Sequence, residues 1–66
     1  MDEIDIWRAA QQMRRFYGLD AGIEAAQRAD SFLDRGDVEA FEIWCRITSA
    51  ISSLDRDVPL AGEATH

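Results

Sequence analysis

The sequence predicts an all-α fold: a compact three-helix unit at about residues 3–17, 20–35 and 37–54, followed by a loose tail over 55–66. Three observations carry this. Apolar residues recur at the 3-and-4 spacing of one helical face in three successive segments. Gly18 and Gly36 separate the segments, and Pro59 and Gly62 follow the last. The chain has 66 residues, of which 47% are hydrophobic, enough for one small domain with a thin core.

The first helix takes Asp2 as its N-cap and places Ile6, Ala9, Ala10, Met13, Phe16 and Tyr17 on one face. Acids fill its first turn and Arg14 and Arg15 its last, as the helix dipole favours. Gly18 is the expected left-handed stop. The second helix starts behind Asp20 and carries an alanine-rich stripe of Gly22, Ala25, Ala26, Ala29, Phe32 and Leu33, which lets a neighbouring helix approach closely. Gly36 closes it. The third starts at Asp37 as N-cap and repeats Ala40, Ile43, Trp44, Ile47, Ala50, Ile51 and Leu54. Glu24 with Arg28 and Glu42 with Arg46 stand at the i,i+4 spacing of helix-surface ion pairs.

From these stripes the expected core is Ile6, Ala10, Met13, Tyr17, Ala26, Ala29, Leu33, Ala40, Trp44, Ile47, Ile51 and Leu54. Periodicity ends after Leu54, so residues 1–54 read as one helical domain and 55–66 as a flexible tail, with Val58 and Leu60 able to pin its start. The short connections imply helices packed against their neighbours in sequence.

Composition excludes several functions. Thirteen acids against seven arginines, with no lysine, leave a net charge of −6. Phosphate backbones and anionic lipid surfaces need cations that are scarce here, so neither nucleic acid nor membrane is an expected partner. A lone cysteine, Cys45, cannot form an intrachain disulfide, and the first residues are acidic where a secretory leader is basic; the expected compartment is the cytoplasm. The lone histidine, His66, is the last residue, so Ser31, Ser49, Ser52 and Ser53 have no histidine base. Cys45 reads as a small half-buried hydrophobe on the flank of the third helix. Asp30, Asp34, Asp37 and Glu39 lack the spacing of a calcium loop and read as caps and solvated acids. No catalytic, cofactor or metal residue is assigned, and no enzyme activity is expected.

Two residues stand apart from this plain pattern. Asp30 leans toward the apolar side of the second helix, where an unpaired carboxylate is costly, so a buried salt bridge to Arg14 or Arg46 is expected. Trp7 lies about 100° off the first helix's stripe, on the side of Ile4 and Arg14. Those three residues form the expected interface, with Trp7 either closing the end of the bundle or meeting a partner. Arg35-Gly36-Asp37 spells an adhesion tripeptide, but a helix stop followed by an N-cap accounts for its glycine and aspartate.

Trp7 with Ala10, Tyr17-Gly18, Ala25, Arg28-Ala29, Leu33, Gly36-Asp37, Trp44, Ile47, Ala50-Ile51 and Leu54 together resemble a group of short alphaproteobacterial proteins that share a domain of unknown function. The resemblance implies a bacterial, cytoplasmic, helical protein and carries no activity or catalytic residue. The function expected from the whole is a small interaction or adaptor module that self-associates or docks on a protein partner. The alternative is an acidic regulator that binds a basic protein surface by mimicking nucleic acid.

Overall fold

A computed structural model describes residues 2–57. Among these every regular element is helical: α1 over Glu3–Tyr17, a 3₁₀ turn over Gly18–Asp20, α2 over Ala21–Asp34 and α3 over Val38–Asp57. The first and second helices match the expected spans to within a residue at each end. The third continues through Asp55, Arg56 and Asp57, which the sequence reading assigns to the tail. Elongating a helix adds one hydrogen bond per residue and needs no apolar stripe. The first strong stop is Pro59, which disfavours helical backbone at the residue before it. The rest of the expected tail, with Val58 and Leu60, lies outside the described residues.

The turns are built from local hydrogen bonding. Gly36 has φ +79°, a conformation that strains any residue with a Cβ. Its N–H bonds the carbonyl of Leu33, and the N–H of Asp37 reaches that of Phe32, each at 2.9 Å. That is the Schellman pairing, which occupies the free carbonyls at the helix end. One residue later the Asp37 carboxylate accepts the Ala40 N–H at 3.1 Å and caps α3. Arg35 completes the triplet by stacking over Phe32 at 5.0 Å and donating to Ser31 Oγ at 3.3 Å. All three residues of the adhesion-like triplet thus have local structural partners. Asp2 stands at the N-cap of α1 in extended backbone without a side-chain bond. Asp20 ends the 3₁₀ turn and stands at the N-cap of α2, likewise without a side-chain bond.

α3 packs against both other helices, most extensively against α2. Pairing runs antiparallel: Gly22 faces Ile51, while Arg28 faces Trp44. The buried core consists of Ile6, Ala10, Met13, Ala21, Ala25, Ala29, Ile47, Ala50 and Ile51. Five of these nine are alanines, so the axes come close and backbone supplies much of the packing surface. Trp7, Trp44 and Leu54 pack against this core half-buried. Ala40 is half-buried as well, outside the fully buried set.

Three expected core residues are exposed: Tyr17, Ala26 and Leu33. Tyr17, the last residue of α1, stands at the edge with its hydroxyl on Arg28; for Ala26 and Leu33 the cause is a rotation of α2 relative to the expected stripe. Ala21, Ala25 and Ala29 face inward with Arg28 and Phe32 on their flank, which turns Ala26 and Leu33 outward. Asp30 is exposed on that outer side, so the expected buried salt bridge is absent. The ion pair found among the described residues is Arg14 to Asp55, Nε to Oδ1 at 3.2 Å, on the surface. Neither Glu24–Arg28 nor Glu42–Arg46 closes to ion-pair distance. Cys45 is exposed rather than half-buried.

Gly22 offers a direct check on the packing. A Cβ added there would meet only Ile51 Cγ2, at 3.9 Å, an ordinary contact. Gly22→Ala is therefore expected to stabilise the chain by about 0.5 kcal/mol through helix propensity and unfolded-state entropy. A urea titration that shows destabilisation would mean the α2–α3 contact is tighter than described.

Candidate protein-interaction surface

Between α1 and α3 runs a groove of about 390 Å³, with Ile6, Trp7 and Ala50 as its apolar wall and Glu3, Arg46, Ser49 and Ser53 around them. This is where the structure places Trp7: its ring leans on the core and its outer surface borders the groove. Ile4 is exposed near the start of the same helix, while the Arg14 guanidinium is turned to Asp55. The expected interface trio is therefore divided among three surroundings. In the groove, the Ser49 and Ser53 hydroxyls have no histidine among the described residues to take a proton. A carboxylate and a guanidinium beside two such hydroxyls can bind, but they form no activated nucleophile.

A second surface lies at the corner where α1 turns into α2. Phe16, Leu19 and Ile23 are 78%, 96% and 60% exposed, three large apolar side chains within eight residues. Phe16 ends up there because the packed face of α1 centres on Ile6, Ala10 and Met13, leaving its ring on the edge. Leu19 occupies the 3₁₀ turn that Gly18 opens at φ +58°. Ile23 points outward because Ala21 and Ala25 on either side of it point in. Single apolar residues are normal on a protein surface, and three large ones this exposed at one turn of the chain mark a candidate contact site. The sequence reading puts Phe16 in the α1 stripe and leaves Leu19 and Ile23 unassigned. The off-stripe argument applied to Trp7 also identifies Ile23, which lies on the far side of α2 from the alanines.

The charges flanking this corner are unequal. From Ile6 to Leu19 the chain has no acid, and Arg8, Gln11, Gln12 and Arg15 line a shallow polar hollow on the outside of α1. On α2, Glu24, Asp30 and Asp34 accompany a single cation, Arg28. That arginine is turned inward. It donates to Tyr17 Oη at 2.8 Å and lies over the Tyr17 and Trp44 rings at 5.5 and 5.4 Å, with Met13 Sδ 3.8 Å away. The outside of α2 is thereby left with its acids. Among the described residues no group of three or more histidine, cysteine or acidic side chains is placed to hold a metal, and no helix is long and apolar enough to cross a membrane. In comparisons with known proteins, no family model, no curated protein and no solved structure matches this chain.

Proposed function

We propose that this chain is a small protein-interaction module, without an activity of its own, that docks through the corner between α1 and α2. The observation that carries the reading is the exposure of Phe16, Leu19 and Ile23 together. Apolar side chains near full exposure gain most from being covered, at roughly 25 cal/mol per Å². The turn itself needs only the positive φ of Gly18 and places no demand for an apolar side chain at Leu19. In keeping with its composition and its resemblance to short alphaproteobacterial proteins, we assign the module to the bacterial cytoplasm. Nucleic-acid mimicry draws less support, because the acids of α2 share its outer side with Ile23 and Leu33 rather than forming a phosphate-like row.

A photo-reactive residue at position 19 tests the reading in the native cytoplasm. Cross-links from position 19 to a defined partner surface, absent when the probe is moved to exposed Glu42 on α3, are the expected result. Identical cross-linking from both positions, or none from position 19, would overturn it.

A further inference from the structure

We draw no further inference here: the strongest candidate, the open groove between α1 and α3 walled by Ile6, Trp7 and Ala50, has one exposed acid and one exposed cation on its rim, Glu3 and Arg46, and nothing in the structure shows what covers it.

Discussion

Ile51→Ala is expected to leave the chain largely unfolded at about 37 °C, because the loss rivals the total stability of a domain this small, roughly 3–5 kcal/mol. Ile51 is 1% exposed and with Ile47 forms the largest fully buried pair of side chains. Truncating a buried isoleucine to alanine typically costs about 2–5 kcal/mol, and the position in that range depends on how far the surroundings collapse. Here they are poorly placed to do so. The neighbours across the interface include Gly22 and a row of alanines, which have no rotamers with which to fill a void. The upper half of the range is therefore expected. Ile51→Val should cost only about 0.5–1.5 kcal/mol and stay folded. Far-ultraviolet circular dichroism through a thermal ramp reads both, and a melting temperature for Ile51→Ala within about 5 °C of wild type would contradict the packing described here.

The second large effect is expected at a residue that hydropathy places outside the core. Arg28→Ala should lower stability by about 2 kcal/mol. The loss combines two cation–π contacts at roughly 0.5–1 kcal/mol each with a hydrogen bond near 1 kcal/mol, not all of it additive. For a chain of this length that corresponds to a fall in melting temperature of about 8–16 °C. Arg28→Lys should recover less than half, because one ammonium group cannot reproduce the planar fork that reaches Tyr17 Oη while lying over two rings. Tyr17→Phe keeps the ring and removes the hydrogen bond, so it should cost about 1 kcal/mol. Combined with Arg28→Ala, it should add little, since both remove the same bond. If Arg28→Ala melts with wild type, the arginine is a bystander and the orientation of α2 has another cause.

The residue that governs this second prediction also separates what was readable in the sequence from what was not. Helix spans follow from apolar spacing and from stops at Gly18 and Gly36, and their boundaries fall where local chemistry puts them. The Asp37 cap and the Schellman turn before it are local too, each closed within six residues of chain. Such features depend on backbone groups that must find partners nearby in sequence. Burial of Ile6, Ala10, Met13, Ala29, Ile47 and Ile51 follows equally from the stripes.

The rotation of α2 does not. Its apolar residues spread widely around the helix, so the stripe alone does not fix which side is covered. In the observed orientation Arg28 meets groups on the other two helices, Tyr17 and Trp44, whose arrangement is long-range information. With that rotation, Ala21 goes in, Ala26 and Leu33 come out, and Asp30 is left in solvent without a partner. The same rotation leaves Ile23 exposed on the outer side of α2. The candidate surface therefore arose where the sequence pattern was ambiguous, while the Trp7 edge, the clearest anomaly in the pattern, became the wall of a groove on the other side of α1.

By itself, the sequence determined a helical chain and where each of its helices starts and turns. Those properties are set by backbone hydrogen bonding, φ preferences and residue inventory, all local quantities. Only the tertiary structure decided which side of α2 is covered and which cation is consumed internally. It also decided which apolar side chains remain in water. These depend on the competition among three helices for one thin core made mostly of alanine, which no local pattern records.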